Sequence, residues 1–583
     1  MRDNVLHMTK KDLTAILTIR LKNIYNRMPY NSHQLRALVN EIFKVKNSIY
    51  PGDFKWDEKS IILITYGDSI TVKGEKPLIT LNRFLKNYLA EHISHVHILP
   101  FFPYSSDDGF SVINYREVNP SLGNWNDIQK IGRSYKLMID LVINHVSQQS
   151  EWFQNYCKEI EPGKSFFIEV DLHVDLSKVI RPRSLPLLSS FNTFSGIKHI
   201  WTTFSSDQID LNFKNPEVLL QMLRIFLFYL LKGARIIRLD AIAFLWKELG
   251  TSCMHLNQTH EIVKLLRDII TFIDPTMVLI TETNVPDKEN LSYFGEGDEA
   301  NMIYQFSLPP LILHALLTAN SSYLNKWASS LPDIPEGCTC LNFTASHDGI
   351  GVRPLEGLLH KEEIQELTEI VKGNGGYISS KSNSDHSESP YELNITYFDA
   401  LKNTRFGEDD LQIDRFLCSQ TLMMSLRGIP AFYIHSLLGT HNDHEGVKHT
   451  GMFRSINRYK WNAEDLFFKL DHESEHSFIL SELLRRISLR QKESSFHPDS
   501  PQTVIPFDSD VFVIARGKKG EMIVLANLSL KPKQLYTNDL IPSGQIISDL
   551  LGKSYIKDGI LFLKPYQICW LKKKAENLSN QPA

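Results

Sequence analysis

The sequence predicts a (β/α)8 TIM barrel with long loops inserted after its third and seventh strands, an N-terminal helical extension and a C-terminal antiparallel β domain. Eight short apolar segments, rich in β-branched residues, recur between residues 61 and 435. Continuous apolar strands that are buried on both faces are typical of parallel sheets. Amphipathic helical segments separate most of them, which is the alternation that a barrel of this kind requires.

The barrel strands are predicted from the apolar segments in chain order. They are residues 61–68, 95–102, 137–145, 234–242, 278–284, 302–307, 340–348 and 429–435. Segments such as 82–93, 260–273 and 410–428 carry apolar residues at helical spacing and predict the surrounding helices. The barrel is therefore expected to be built from three stretches of chain, residues 59–145, 213–348 and 404–494.

Four further regions are predicted around the barrel. Residues 1–58 form a helical extension, and residues 495–583 alternate apolar and polar positions, which favours a small antiparallel β domain. Residues 146–212 and 349–403 are too long for ordinary loops and predict an inserted domain B and an inserted region B′. Residues 372–392 of the second insert are rich in Gly, Ser and Asn, so we expect this segment to be mobile.

Composition excludes several classes of protein. The net charge is −4 and hydrophobic residues make up 42% of the chain, so the sequence shows no nucleic-acid or membrane footprint. The longest apolar stretch, residues 219–237, contains charged residues and predicts a helix followed by a strand. Cys338 and Cys340 lack further ligands at metal-binding spacing and are expected to be buried free thiols. With no signal peptide expected at residues 1–17, a cytoplasmic location is predicted.

Polar residues close several predicted strands, at the face where barrel active sites lie. They are Asp140, Asn144 and His145 on the third strand, Arg238 and Asp240 on the fourth, Glu282, Thr283 and Asn284 on the fifth, and His347 and Asp348 on the seventh. One acid at a strand end is a common accident. Three carboxylates, Asp240, Glu282 and Asp348, facing one cavity would repel one another, so their presence together favours a function.

Glycoside chemistry assigns roles to such carboxylates. A retaining enzyme needs an ionised nucleophile and a protonated acid about 5–5.5 Å apart. Arg238 lies two residues before Asp240 on one strand, so both side chains project to the same face and the arginine favours the Asp240 anion. Taken alone, this pair is equally well explained as a structural ion pair. Together with the other strand ends, it favours catalysis.

The strand ends resemble a known family. The segments DLVINH, RLDAIAFLWK, ITETN and FTASHDGIGV are similar to the four sequence regions of the α-amylase superfamily of glycoside hydrolases. Within it, the segments VHILPFFPYSSDDGF, RPR at 181–183, KELGTSC, SHDGIGV and SINR resemble the sucrose phosphorylase group. The resemblance runs from about residue 60 to the C-terminus, and it leaves the N-terminal helices unexplained.

The resemblance implies roles for individual residues. It makes Asp240 the nucleophile, Glu282 the general acid/base and Asp348 the stabiliser of the transition state, with His145 and His347 contacting the sugar hydroxyls. It also implies that Asp107 and Arg454 hold the far side of the glucose ring and that Phe110 lies beside it. From the residues alone, the segment that contains Asp107 and Phe110 is also consistent with a capped turn.

Phosphate recognition is implied at Arg183. The planar guanidinium of arginine suits a phosphate, and the resemblance places this residue in contact with phosphate and acceptor. In isolation, the Arg-Pro-Arg segment is better explained as a proline-stiffened surface loop.

The acceptor is suggested by the second insert. Here the chain has Tyr391 and Glu392 where sucrose phosphorylases resemble one another with Tyr-Gln. This segment, the one following Asp240 and the N-terminal extension all look closer to the glucosylglycerate phosphorylase branch. An ionised Glu392 accepts hydrogen bonds and cannot donate them, which argues against fructose held in the same way.

The resulting prediction is a retaining α-glucoside phosphorylase that transfers glucose to inorganic phosphate and gives α-glucose 1-phosphate. Its partners are a small sugar substrate and phosphate, with no cofactor and no nucleic acid or membrane. A sucrose or sucrose 6-phosphate phosphorylase, an α-glucoside hydrolase and a catalytically inactive barrel remain as alternatives. Asn144 matches a calcium ligand of many α-amylase relatives, but an oxygen cage needs several more ligands and the phosphorylase group is not expected to use calcium, so no metal is predicted. The oligomeric state stays open.

Overall fold

A closed barrel of eight parallel strands forms the centre of the protein. The structure, a computed structural model, describes residues 8–53, 55–182, 185–382, 388–540, 546–552 and 554–573. The strands are β1 (Ile62–Thr65), β2 (His95–Ile98), β3 (Lys136–Leu141), β4 (Ala234–Leu239), β5 (Val278–Thr281), β6 (Met302–Tyr304), β7 (Thr339–Asn342) and β8 (Ile429–Tyr433). Each pairs with the next in this order, and β8 closes on β1. All eight predicted strands are thus confirmed.

Helices surround the barrel and connect its strands. They are α1 (Lys10–Tyr25), α2 (Ser32–Ser48), α3 (Pro77–Phe84), α4 (Trp125–Gly132), α5 (Glu151–Cys157), α6 (Pro216–Leu231), α7 (Asn257–Ile273), α8 (Asp287–Leu291), α9 (Leu308–Thr318), α10 (Ser322–Ser330), α11 (Lys361–Gly373), α12 (Tyr397–Ala400), α13 (Gln412–Ser425), α14 (Ile434–Leu437), α15 (His444–Thr450), α16 (Ala463–Asp471), α17 (Glu475–Arg490) and α18 (Thr537–Leu540). Among the helices of the described residues, none combines the length and hydropathy that a bilayer crossing requires.

The two N-terminal helices, α1 and α2, pack on the outside of the barrel. Each begins with a capping box, in which the side chains of the cap residue and of the third helical residue bond to each other's backbone. On α1 the apolar side chains recur at helical spacing and are buried. Arg20 on the same helix donates to Asp268 of α7 at 2.8 Å, and α1 makes most of its contacts with that helix.

Both insertions follow the barrel strands after which they were predicted, β3 and β7. The first carries a hairpin of strands Leu188–Thr193 and Gly196–Trp201. The second was expected to contain a mobile segment; its described part contains a strand pair, and the mobility stays a prediction. Strands Tyr377–Ser382 and Glu388–Asn394 pair antiparallel, with Ile378 opposite Leu393, and both of these side chains belong to or pack against the main hydrophobic core. The boundaries given for the inserted domains stay predictions.

The C-terminal region forms the predicted antiparallel sheets. A five-stranded sheet contains strands Gln502–Val504, Val511–Arg516, Met522–Asn527, Ile568–Lys573 and Ile546–Asp549, in that order, and a three-stranded sheet contains Lys533–Tyr536, Ile560–Leu563 and Tyr555–Lys557. Trp570 of the larger sheet is fully buried and donates to Ser425 of α13 at 2.8 Å, so this sheet is anchored on the barrel. Cys338 and Cys340 are buried and free of disulfides, as predicted.

Candidate active site

A cavity opens at the carboxyl ends of the barrel strands. Counted together with its solvent-open mouth, this inner cavity has a volume of about 530 Å³. It brings together most of the site residues predicted from the sequence. The predicted residues that line it are Asp107, Phe110, His145, Asp240, Glu282, His347, Asp348, Tyr391 and Arg454. Residues far apart in the chain meet here because parallel strands end at one face of the barrel.

Arg238 is the electrostatic centre of the inner cavity. It is buried, and its Nη1 donates to Oδ1 of Asp240 at 2.8 Å and also to Asp140. Its Nη2 lies 3.8 Å from Oε2 of Glu282. Asp140 is held from its other side by Nε2 of His97 at 2.5 Å. The guanidinium therefore binds Asp240 directly and only approaches Glu282.

The two carboxyls beside Arg238 are suited to different protonation states. Burial raises the pKa of both Asp240 and Glu282, although the Arg238 guanidinium lowers each. Because two negative charges in so small and dry a space repel each other, one of the two carboxyls retains a proton. Burial raises the pKa of Asp240 to about 8, and the direct contact with Arg238 opposes this, so we expect the anion at Asp240 and the proton on Glu282. This is the division that an ionised nucleophile and a general acid need.

Asp348 is held ionised by arginine. Nη1 of Arg454 lies 2.6 Å from Oδ1 of Asp348, and Arg458 approaches to 4.0 Å. Burial favours the neutral acid, but Arg454, His347 and Arg458 together lower the pKa of Asp348 well below its usual range. Asp348 is therefore an anion at any physiological pH and an acceptor of hydrogen bonds.

Two histidines and an aromatic ring form one wall of the inner cavity. The Phe110 and His347 rings stack with centroids 4.7 Å apart and an interplanar angle of 5°. Nε2 of His145 donates to the Phe110 carbonyl at 2.9 Å. Burial lowers the pKa of His347 to about 3 and that of His145 to about 4, so both rings are neutral at pH 7. Neutral imidazoles can bind hydroxyls without adding charge to the cavity.

Strained backbone surrounds the same cavity. Asp107 and Asp108 adopt φ of 52° and 46°, and Ala241, directly after Asp240, adopts φ of 49°. Each such conformation of a non-glycine residue costs about 1–3 kcal/mol, and such residues cluster at functional sites. The Ala241 amide donates to Oε2 of Glu282 at 3.0 Å, so the strained turn links the two central carboxyls. Gln208 donates to Asp107 at 3.3 Å.

A lysine contacts Asn144, the residue for which the resemblance raised the question of calcium. Nζ of Lys247 lies 2.6 Å from Oδ2 of Asp210 and 2.6 Å from Oδ1 of Asn144, and all three residues are buried. Thr203 also donates to Asp210, through its amide and its hydroxyl. The oxygens of Asn144 and Asp210 therefore already have a cation. Within the described parts of the chain, no group of three His, Cys, Asp or Glu side chains is arranged to hold a metal.

Two further cavities adjoin the inner one, and Tyr391 lines all three. The loop cavity encloses about 800 Å³ between residues that include Leu185, Ser379 and Phe453. The arginine cavity encloses about 380 Å³, and its lining includes Arg353. Arg183, which the sequence predicts to contact phosphate, lies outside the described residues.

Glu392 has contacts that the sequence analysis did not anticipate. Its Oε1 lies 3.1 Å from Nη2 of Arg454 and accepts from the Gly349 amide at 2.6 Å. Its Oε2 accepts from Nε of Arg454 at 3.2 Å. The carboxylate therefore holds Arg454 in place, and the predicted contact of Glu392 with an acceptor hydroxyl stays a prediction.

Several functional candidates were missed by reasoning from the sequence. They are His97, Asp140 in its role beside Arg238, Gln208, Asp210, Lys247 and Arg353. A polar residue inside an otherwise apolar barrel strand is the signal that marks His97, since alternate residues of such a strand point into the barrel. No comparable signal marks Lys247 or Arg353, whose partners are far apart in the chain.

Comparisons with known proteins agree with this geometry. Residues 86–349 match the family model described as the α-amylase catalytic domain. The glucosylglycerate phosphorylase of Escherichia coli is 44% identical over 95% of this chain and 99% of its own. That of Spirochaeta thermophila is 48% identical over 89% and 91%.

A solved structure gives the same result for the fold. The sucrose 6F-phosphate phosphorylase of Thermoanaerobacter thermosaccharolyticum superposes with a TM-score of 0.70 at 27% identity, covering 81% of this chain and 94% of the other. Together with the 44% and 48% identical relatives, it shows the family directly. The chain therefore belongs to the α-amylase family and, within it, to the glycoside phosphorylases, which are glycosyl-transferring enzymes.

Proposed function

We propose that the chain transfers glucose from an α-glucoside of glycerate to inorganic phosphate, giving α-glucose 1-phosphate with retained configuration. The observation that carries this proposal is the sharing of Arg238 by two unequal carboxyls, Asp240 at 2.8 Å and Glu282 at 3.8 Å. The choice of glycerate is supported by relatives whose names state glucosylglycerate phosphorylase at 44% and 48% identity.

In the first half-reaction, Asp240 is the nucleophile. One of its carboxylate oxygens attacks C1 of the glucose, and the bond from C1 to the glycerate oxygen breaks. Glu282 gives its proton to that leaving oxygen, so the oxygen departs as a neutral hydroxyl group of glycerate rather than as an alkoxide. The product is a glucosyl ester of Asp240 with inverted configuration.

In the second half-reaction, phosphate replaces glycerate. A phosphate oxygen attacks C1, the bond from C1 to Asp240 breaks, and the ionised Glu282 takes the proton that the phosphate oxygen loses. Two inversions at one carbon give overall retention. Arg183 is proposed to hold the phosphate through its planar guanidinium.

The remaining residues of the inner cavity bind the glucose. Asp348, kept anionic by Arg454, accepts from sugar hydroxyls and stabilises the positive charge that develops on the ring. The neutral His145 and His347 contact further hydroxyls, and Phe110 packs against the sugar face. Asp107 and Arg454 are proposed to hold the far side of the ring.

The reverse reaction tests the proposal. Purified protein is incubated with α-glucose 1-phosphate and one acceptor at a time, namely D-glycerate, glycerol, fructose or fructose 6-phosphate, and released phosphate is measured. We expect D-glycerate to give the largest kcat/KM. If fructose or fructose 6-phosphate is the best acceptor, the protein is instead a sucrose phosphorylase or a sucrose 6-phosphate phosphorylase. A hydrolase would be indicated if the same amount of free glucose formed with every acceptor and if the rate of donor consumption did not depend on the acceptor.

A further inference from the structure

The arginine cavity contains a cation that neither the sequence comparison nor the proposed chemistry assigns. Arg353 begins the short helical turn Arg353–Leu355, which follows β7 in the second insert. Its side chain is 13% exposed. The cavity that it lines is also lined by Glu282 and by the apolar side chains of Phe244 and Met254. A guanidinium thus shares a partly apolar space with the proposed acid/base.

The donors of Arg353 are largely uncommitted. Its carboxylate partner is Glu289, at 3.6 Å from Nη2, which is beyond hydrogen-bond distance. Glu289 is 42% exposed and also contacts Nε2 of His255 at 3.1 Å. Among the described residues, Arg353 also donates to the sulfur of Met254 at 4.0 Å, a weak acceptor.

Arg454 differs from Arg353 in this respect. Arg353 and Arg454 are the two arginines among the described residues that line the inner, loop and arginine cavities. Arg454 lies 2.6 Å from Asp348 and 3.1 Å from Glu392, so its charge is balanced within the protein. Arg353 is the one of the two that can receive an anion without losing a close internal ion pair.

An acceptor that no described residue pairs with lies in the same cavity. Asn284 lines both the inner and the arginine cavities, and its buried Oδ1 has no hydrogen-bond partner among the described residues. Gly351 packs against this amide so closely that a Cβ there would lie 2.6 Å from Oδ1. A buried, unpaired amide oxygen is costly unless a ligand supplies a donor.

We propose that Arg353 binds the carboxylate of the acceptor acid and that Oδ1 of Asn284 accepts from its free hydroxyl. This inference rests on the proposed function, in which the acceptor is glycerate. In a three-carbon acid the carboxylate lies within two carbons of either hydroxyl, so an oxygen that reacts beside Glu282 places the carboxylate in the same small cavity. Phe244 and Met254 reduce the water there, which strengthens an ion pair with Arg353.

Transfer from an uncharged donor tests this inference. The full-length protein and its Arg353→Met variant receive α-glucosyl fluoride, which forms the glucosyl-enzyme, with D-glycerate or phosphate as acceptor. For the variant we expect kcat/KM for D-glycerate to fall by about 10- to 100-fold, as for a lost charge-assisted contact. The KM for phosphate should change by less than about threefold, because Arg183 is proposed to hold phosphate.

Matched variants separate a contact from a general disturbance. Arg353→Lys keeps the charge without the planar fork and should lose less glycerate transfer than Arg353→Met. Arg20→Met removes a similarly buried arginine, at 18% side-chain exposure, that pairs with carboxylates outside the barrel and should leave both acceptors unaffected. Thermal unfolding of each variant reports whether it folds.

Every other pattern overturns the inference. Unchanged glycerate transfer in Arg353→Met, a loss confined to phosphate, or equal losses for both acceptors would each show that Arg353 is not the carboxylate contact. Failure of the proposed function looks different, since the wild type itself would then transfer no glucose to D-glycerate.

Discussion

The inner cavity and the arginine cavity lie side by side, yet different parts of the chain build them. The inner cavity is lined by residues at the ends of barrel strands, such as Asp240 after β4 and Glu282 after β5. The arginine cavity adds Arg353 from the second insert and Met254 from the loop after β4, while Tyr391 of the insert lines both cavities. Residues fixed by the barrel thus surround the proposed glucose site, and residues on loops surround the proposed acceptor site.

The two cavities also differ in how their charges are balanced. Arg238, which contacts Asp240 next to the inner cavity, and Arg454, which lines it, each lie within 2.8 Å of a carboxylate of the protein. In the arginine cavity, the carboxylate nearest to Arg353 in an ion pair is 3.6 Å away. A balanced site binds a neutral sugar, whereas an unbalanced cation suits an anionic acceptor. Variants of the first cavity should therefore affect every reaction, and variants of the second should affect chosen acceptors.

The largest effect is expected from Asp240→Asn. The amide has nearly the shape of the carboxylate but cannot form the glucosyl ester, so kcat should fall by about 10⁴-fold or more with every donor and acceptor. Steady-state rates with α-glucosyl fluoride and phosphate measure this, and unchanged thermal unfolding shows that the fold is intact. Retention of more than about a tenth of the wild-type rate, or a glucosyl adduct found by mass spectrometry on another residue, would contradict the assignment.

Glu282→Gln should have a large effect that depends on the leaving group. Glycerate needs a proton to depart and fluoride does not, so glucosyl transfer from the glycerate donor should fall by about 10²–10⁴-fold and transfer from fluoride far less. Comparable losses with the two donors would show that Glu282 does not act as an acid.

The pH profile provides a second measurement on the same variant. Burial raises the pKa of Glu282 from 4.5, so wild-type activity with the glycerate donor should decline only as pH rises through this higher value and the proton is lost. The alkaline decline should disappear in Glu282→Gln, which has no proton to lose at that position. A decline that persists unchanged in the variant must come from another group.

Lys247→Met should act on stability more than on rate. It leaves Asp210 buried without its cation, and such a loss costs about 3–5 kcal/mol. The double variant Lys247→Met with Asp210→Asn removes the unpaired charge and should recover part of the lost melting temperature. Thermal unfolding of the wild type and both variants is the measurement. If the single variant has the same melting temperature as the wild type, the ion pair of Lys247 and Asp210 contributes nothing to the stability of the folded protein.

The smallest effect is expected from Tyr391→Phe, because this residue borders all three cavities without belonging to the proposed chemistry. Removal of one hydroxyl should change KM for D-glycerate or phosphate by about 2- to 10-fold. Fluoride release in the first turnover, which reports formation of the glucosyl-enzyme, should not change. A loss of this first step would instead place Tyr391 with the residues that bind glucose.

The sequence predicts the barrel well because a buried parallel strand requires a continuous apolar run, as in residues 278–281 of β5. It also predicts which polar side chains meet, because Asp240, Glu282 and Asp348 each follow such a run. The strand pair of the second insert was not predicted, because its Ser and Asn residues are typical of loops, whereas Ile378 and Leu393 pack with the hydrophobic core.

Contacts between distant residues could not be predicted in this way. Lys247 and Asn144 are 103 positions apart, and no local spacing relates them. Arg353 lies in a sequence that predicts only a turn before a proline, and its place beside Glu282 follows from the path of the insert. Roles that depend on strand ends are thus accessible from sequence, and roles that depend on how loops fold back require the structure.

The central claim, that glucose passes from the inner cavity to phosphate, is tested most directly by the products of the wild-type protein. The protein is given α-glucosyl fluoride in millimolar phosphate, and glucose 1-phosphate and free glucose are quantified by anomer-resolved NMR. We expect α-glucose 1-phosphate as the main product, with a share that rises with phosphate concentration. Free glucose as the main product at every phosphate concentration, or glucose 1-phosphate in the β configuration, would contradict the account.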